Sequence, residues 1–255
     1  MPDASFLLLL QTLKDLKPFL SHLVLVGGWV PYIYSQYVWK LSHIPRGTAD
    51  IDFGLKDITY KGKSTIAHKL KQKQYGEHHI NMGKLRPYIP VAKHGDERAD
   101  VEFITSANPE TFKSLVGKDI KINQIENFDL LLEKPLRMPI EGLNIQIPRP
   151  SIFIFHKLLT FVERQGQFKR EKDLYYAYFM LLFHSDNEQV SQEIKQLILK
   201  KPQGKTVEKN IKNYFDDEFD QGPRIIGQQI KATSIQTFVK DVQQDSFERL
   251  RKLLP

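Results

Sequence analysis

Asp50 and Asp52 stand one residue apart in Asp50 to Leu55, a segment that alternates acidic and apolar residues as a half-buried strand does. Residues two apart on a strand point to the same face. The two carboxylates can therefore share hard cations such as Mg2+, which takes oxygen from carboxylate, water and phosphate. Upstream, the short extended run His22 to Val26 ends at Gly27-Gly28, and Trp29 to Trp39 then reads as a helix, with Pro31 tolerable in its first turn. Glycines between a strand and a helix let phosphates approach the backbone, and the amides from Trp29 onward supply donors and a favourable dipole. A phosphate cradle beside paired metal-binding acids is what nucleotidyl transfer needs.

Each feature also has a plain structural reading. An Asp-x-Asp pair alone is commonly a solvated strand face; the glycines upstream, and Arg46-x-Thr48 directly before the acids, favour the metal site. Arg46 and Thr48 can simply shape the loop entering the strand, Thr48 through a local side-chain-to-backbone bond, while Arg46 can equally reach a phosphate. His78 and His79 are adjacent, so on a strand they face opposite ways, and no third ligand is suitably spaced for zinc. Trp29, Tyr32, Tyr34, Tyr37 and Trp39 read mostly as packing material, one of which can stack a nucleobase. Lys200, Lys201, Lys205, Lys209 and Lys212 read as a solvated basic face ahead of an RNA track.

The elements that must hold these residues change texture along the chain. Phe6 to Leu10, with Leu13, Leu16 and Phe19, is one face of an amphipathic helix; Asp3 before it and the lack of a basic segment argue against a signal peptide. Lys63 to Lys73 reads as a polar-faced helix. Arg98 to Thr105 alternates, with Ala99, Val101 and Phe103 opposite Asp100, Glu102 and Ile104, and Phe128 to Leu132 and Leu143 to Ile147 are further short extended runs. From Pro150 the patterns are helical: Ile152 to Val162 and Asp173 to Phe183, separated by the charged stretch Arg164 to Lys172, then Glu188 to Leu199, Val207 to Phe215 and Ile235 to Leu253. Pro148-Arg-Pro150 interrupts regular structure. The expected fold is α+β: a mixed sheet flanked by helices over residues 1–148, then a helical bundle over 149–255.

Composition narrows the partners. The 255 residues carry a net charge of +7, which permits a polyanionic partner or a nucleotide substrate. Cysteine is absent, which excludes disulfides and thiolate metal sites and suits a reducing cytoplasm. No apolar run is long enough to cross a bilayer, so no membrane partner is expected.

Gly27-Gly28, a helix-length interval, then Arg46-Gly-Thr48-Ala-Asp50-Ile-Asp52 resembles the polymerase-β-like nucleotidyltransferases, especially the AbiEii-type proteins of bacterial toxin–antitoxin and phage-defence systems. That family carries a third acid on a later strand, and Val101-Glu102-Phe103-Ile104-Thr105 fits its string. Glu102 is thereby nominated, with Asp100 on the same face as its rival. The downstream blocks Phe155-His156-Lys157-Leu158, Lys169-Arg170 and Lys172-Asp173-Leu174-Tyr175 also have family counterparts. The resemblance spans Val24 to Tyr178 in separated blocks and stops by His184. Gly28 stands where many members have a serine that touches phosphate, a form similar to the AbiEii-type branch. Tyr176 stands where relatives often show a second acid, and no role is assigned to it.

The resemblance implies two-metal phosphoryl transfer with Mg2+, or Mn2+ in its place. Asp50 and Asp52 would bridge both ions, and Glu102 or Asp100 would complete the catalytic one and help remove the acceptor proton. Gly27, Gly28 and the amides from Trp29 would hold the β- and γ-phosphates. Lys157 would add a point charge on the triphosphate, its alternative being a snorkelling lysine on a buried helix. Asp173 would orient Lys157 or meet the sugar, its alternative being an acid at a helix N-terminus. The expected activity is transfer of NMP from an NTP to a hydroxyl, with tRNA or other RNA 3′ ends and protein side chains favoured over aminoglycoside-like small molecules. A toxin held by an antitoxin protein is compatible with this. The reading from another class is a nucleotide- or RNA-binding module without catalysis, against which the intact Asp50–Asp52 pair argues.

Overall fold

The structure, a computed structural model, describes residues 4–42, 45, 47–48, 50–56, 60–80, 84–90, 98–184, 187–231 and 239–255. The first part of the chain forms α1 (Ala4–Asp15), β1 (Leu23–Leu25), α2 (Trp29–Ile33), β2 (Ile51–Leu55), α3 (Ile66–Gln72), β3 (Gly76–Ile80) and β4 (Lys84–Pro90). β5 (Arg98–Thr105), α4 (Lys113–Val116), β6 (Ile122–Gln124), β7 (Leu136–Ile140) and β8 (Leu143–Ile147) follow. Only helices come after: α5 (Pro150–Thr160), α6 (Gln167–Phe183), α7 (Asn187–Lys200), α8 (Gly204–Tyr214), α9 (Gln221–Lys231) and α10 (Val242–Arg251). Contacts divide the chain into two units, Met1–Val30 with Gly47–Arg149, and Pro31–Arg46 with Pro150–Pro255. The aromatic segment from Pro31 thus belongs with the helices that begin at Pro150.

The first unit is built on a mixed sheet of order β1-β2-β5-β4-β3, with β6 also pairing β5. β2 and β5 run parallel, Ile51 opposite Val101, Asp52 opposite Glu102 and Phe53 opposite Phe103. Alternation sorts the side chains: Ile51, Phe53, Val101 and Phe103 are at most 1% exposed on one face, while Asp52 and Glu102 are half-buried on the other. α1 buries Phe6, Leu9, Leu10 and Leu13, and its buried Thr12 and Asp15 accept from the Tyr75 hydroxyl at 3.1 and 3.2 Å.

β7 and β8 form a separate hairpin in which Glu141 and Gly142, at φ +46° and +76°, make the two-residue turn. Two positive φ values match the right-handed twist of the strands they join. Gln146 of β8 ties that hairpin to the lead-in of β1: its amide nitrogen donates to the Leu20, Ser21 and Leu23 carbonyls at 3.2, 2.9 and 3.2 Å, and Lys56 donates to its oxygen at 3.1 Å.

In the second unit α5 is buried along nearly its whole length, from Pro150 to Leu159. A helix apolar all round belongs at the centre of a bundle. α6 buries the continuous run Asp173 to Leu181, and Tyr178 donates to Asp245 of α10 at 2.5 Å.

Several elements differ from the sequence patterns. Phe128–Leu132 is a 3-10 turn, entered from Asn127 at φ +58°. The charged stretch before Asp173 is the exposed start of α6, which begins at Gln167. Trp29 to Trp39 is helical but widens to a π turn over Tyr34–Val38, where Trp39 donates to the Tyr34 carbonyl at 2.8 Å. α10 accounts for the end of the Ile235 to Leu253 run, whose residues 235–238 lie outside those described. β3, β4, α4, β6, β7 and α9 were not legible. Pro87 and Pro90 mask β4, and Gly222, Pro223 and Gly227 mask α9.

Candidate active site

The turn after β1 and the start of β2 form one piece of structure. The Val26 amide donates to the Asp52 carbonyl at 2.9 Å, and the Val30 amide closes a turn on the Gly27 carbonyl at 3.3 Å. Gly27 takes φ +69°, and a Cβ placed on it would overlap the Asp52 carboxylate. Only glycine allows both the left-handed backbone and this approach. Gly27 is half-buried and Gly28 buried, so Gly27 is the part of the turn that solvent reaches. Trp29, 3% exposed, donates its indole N–H to the Asp50 carbonyl at 3.0 Å and lies 6.3 Å from the Phe6 ring. The aromatic residue after the glycines therefore fixes the backbone that carries the first acid. Asp50 itself is exposed just before β2, and Thr48 is half-buried; Arg46 lies outside the described residues.

Across the parallel pair, Glu102 stands in register with Asp52. Adjacent strands run about 4.8 Å apart, so the two acids flank each other on one face. Glu102 is engaged through both oxygens: Arg86 of β4 lies 3.2 Å from Oε1, and Asn123 of β6 donates to Oε2 at 2.9 Å. Asp100, two residues earlier, is 3.4 Å from the other Arg86 nitrogen and 3.6 Å from His78. The sequence reading missed Arg86 and Asn123 because neither belongs to a motif and both sit on unrecognised strands. His78, on β3, stacks on Tyr88 at 4.4 Å within the β3–β4 ladder.

The donor set suits a hard cation. Among the described residues no group of three His, Asp or Glu side chains is arranged to cage a metal ion. Mg2+ does not require such a cage, since it is commonly held by one or two carboxylates with water and substrate phosphate completing the octahedron. The Asp52 carboxylate at the Gly27 turn, with the exposed Asp50 two residues earlier in the chain, supplies oxygen donors of that kind.

In the second unit Lys157 and Asp173, 7% and 2% exposed, meet at 2.5 Å. Arg164 donates to the second Asp173 oxygen at 2.9 Å, and the Lys157 ammonium lies 5.5 Å from the Phe153 ring centre. Asp173 lies well inside α6, not at its N-terminus, and both its oxygens serve these cations. Burial pushes the Asp173 carboxyl up, but the charges and hydrogen bonds of Lys157 and Arg164 outweigh it, and the net shift is downward. The neighbouring His156 is pushed down to about 3, first by burial and then by the Lys157 charge.

The first unit is thus a mixed sheet flanked by helices, with Asp52 and Glu102 on adjacent strands and Asp52 against the Gly27 turn. The chain belongs to a nucleotidyltransferase family, whose family model, described as "Nucleotidyltransferase", matches residues 7–199. It is similar to the crystal structure of an antigenic nucleotidyltransferase-like protein from Paracoccidioides brasiliensis, at 14% identity and a TM-score of 0.46, over 80% of this chain and 91% of that one. A comparison with curated proteins finds no match. No helix among the described residues is long and apolar enough to cross a membrane.

Proposed function

We propose that this nucleotidyltransferase moves a nucleoside monophosphate from an NTP to a hydroxyl acceptor, with Mg2+ or Mn2+ held by Asp50 and Asp52 and with Glu102 as the third acid. The observation that carries the reading is the alignment of Asp52 with Glu102 on parallel strands while Gly27 closes on the Asp52 carboxylate. When bound, the divalent ions supply neutralisation of the triphosphate and a lowered pKa for the acceptor hydroxyl. Gly27 puts no side chain of its own between the phosphates and the backbone, and the Asp52 carboxylate takes the space a Cβ would fill, so ions held by Asp52 lie against the turn. Trp29, through its bond to the Asp50 carbonyl, keeps the first acid beside that path. Glu102 is the carboxylate placed to take the acceptor proton.

The Gly27-Gly28 form and the Arg46-to-Asp52 string support the AbiEii-type branch, and with it a toxin whose partner is an antitoxin protein. The charge of +7 supports an RNA 3′ end as acceptor, with a protein side chain as the other favoured class. The test incubates the protein with each α-³²P-labelled NTP, Mg2+ and either total RNA or cell lysate. Label transfer that disappears in Asp50→Ala and Asp52→Ala supports the reading. Equal labelling by wild type and both variants removes the metal site.

A further inference from the structure

Arg86 is a permanent cation at the place where the third acid would have to meet a metal ion. It projects from β4, whose Tyr88 pairs with Asp100, so Arg86, Asp100, Glu102 and Asp52 share one face of the sheet. Its guanidinium bridges the acids, one nitrogen 3.4 Å from Asp100 and the other 3.2 Å from Glu102. Arg86 is 30% and Glu102 22% exposed, so the pair is partly withdrawn from solvent screening. Arginine stays charged at any working pH.

We propose that Arg86 is a positioning residue that keeps Glu102 from free divalent cations and yields it to a cation that arrives bound to a nucleoside triphosphate. This rests on the reading of Asp52 and Glu102 as metal-binding acids. A free dication must take Glu102 from the guanidinium and then sit beside a fixed positive charge. A metal–triphosphate complex is net negative, and its phosphate oxygens give the displaced guanidinium new acceptors in the fork geometry that arginine favours. Asp100 is the tether: it retains Arg86 at the sheet when Glu102 leaves. That gives the Asp100-x-Glu102 pair two jobs, one acid for the metal and one for the arginine.

The test measures Mn2+ binding to the full chain by electron paramagnetic resonance, without nucleotide and then with an equimolar mixture of the four non-hydrolysable α,β-methylene NTP analogues. Without nucleotide, Arg86→Gln is expected to bind Mn2+ at least about tenfold more tightly than wild type, because a charge a few ångströms from the ion is removed. Arg86→Lys, which keeps the charge, is expected to stay within about threefold of wild type. With the analogues present, the Arg86→Gln and wild-type affinities converge. Arg86→Met serves as a second neutral variant should Gln prove unstable, and the same tightening is expected of it. Mn2+ affinity at or below the wild-type value in whichever neutral variant folds overturns the proposal, as does an undiminished gap once the analogues are added. Asp52→Asn separates the failures. If it abolishes Mn2+ binding while Arg86→Gln changes nothing, only the role of Arg86 falls; if Mn2+ binding ignores Asp52→Asn, the metal site falls too.

Discussion

Gly27 and Asp52 compete for one space: the Asp52 carboxylate lies where a Cβ on residue 27 would be, and Gly27 holds φ +69°. Alanine there forces the acid aside and meets a left-handed backbone that costs an L-residue about 1–2 kcal/mol. Displacement of a reacting group by about 1 Å is enough for a hundredfold loss. Gly27→Ala is therefore expected to lose nucleotidyl transfer by about a hundredfold or more, with an unchanged far-UV spectrum and a modestly lower melting temperature. Transfer rates near wild type would mean that Asp52 tolerates displacement and does not hold the ions.

Asp100 and Glu102 differ in their partners, which makes their ranking measurable. Both touch Arg86, but Glu102 stands beside Asp52 and accepts from Asn123, whereas Asp100 lies 3.6 Å from His78. Glu102→Gln is expected to lower kcat by about a hundredfold or more, the scale of a lost general base. Asp100→Asn is expected to cost less than about tenfold and to act mainly on KM, through a loosened Arg86. The opposite order in steady-state kinetics would make Asp100 the third acid.

The strands that carry Asp52 and Glu102 were legible in the sequence because their signal is local. Asp50-x-Asp52 and Val101-Glu102-Phe103 announce strands by alternation, and Gly27-Gly28 announces a break between a strand and a helix. Arg86 and Asn123 were not legible, since their importance comes from pairings that bring residues 86, 102 and 123 together across three strands. The prolines of β4 also argued against a strand, although a strand accepts proline where the ladder asks no N–H of it. Phe128–Leu132 misled for the reverse reason. Its apolar run suits a strand, but Phe128 and Leu132 pack on Gly54 of β2, which has no Cβ to keep them off, and a tight turn delivers both.

Gln146 tests how the β7–β8 hairpin is held. Its amide group satisfies carbonyls at Leu20, Ser21 and Leu23 and accepts from Lys56. Gln146→Leu keeps much of the volume and leaves those buried groups unpaired, at about 1–3 kcal/mol. The expected readout is a lower urea midpoint with an unchanged m-value, together with faster amide exchange over residues 136–147. A midpoint equal to wild type would show that the hairpin is held by packing alone.

His156 and Asp173 should give the second unit two separate losses of stability in acid. His156 is pushed down to about 3 by burial and by Lys157, while an unfolded histidine titrates near 6.5. Between these values the unfolded chain binds a proton that the folded chain refuses, so stability falls as pH drops, by up to about 1.4 kcal/mol per pH unit. Asp173 is shifted downward despite its burial, because Lys157 and Arg164 outweigh it. Its stabilisation is complete above the ordinary carboxylate range and is lost only as pH falls below about 4 and through the depressed value. Urea midpoints from pH 7.5 to 3 separate the two. His156→Gln is expected to flatten the decline between about pH 6.5 and 4 while leaving the steeper loss below it. Asp173→Asn is expected to cost about 3–5 kcal/mol already at neutral pH, because Lys157 is then a buried charge without its counterion. An Asp173→Asn protein as stable as wild type at pH 7 would mean that Lys157 finds another partner, and that the buried pair does not anchor α5 to α6.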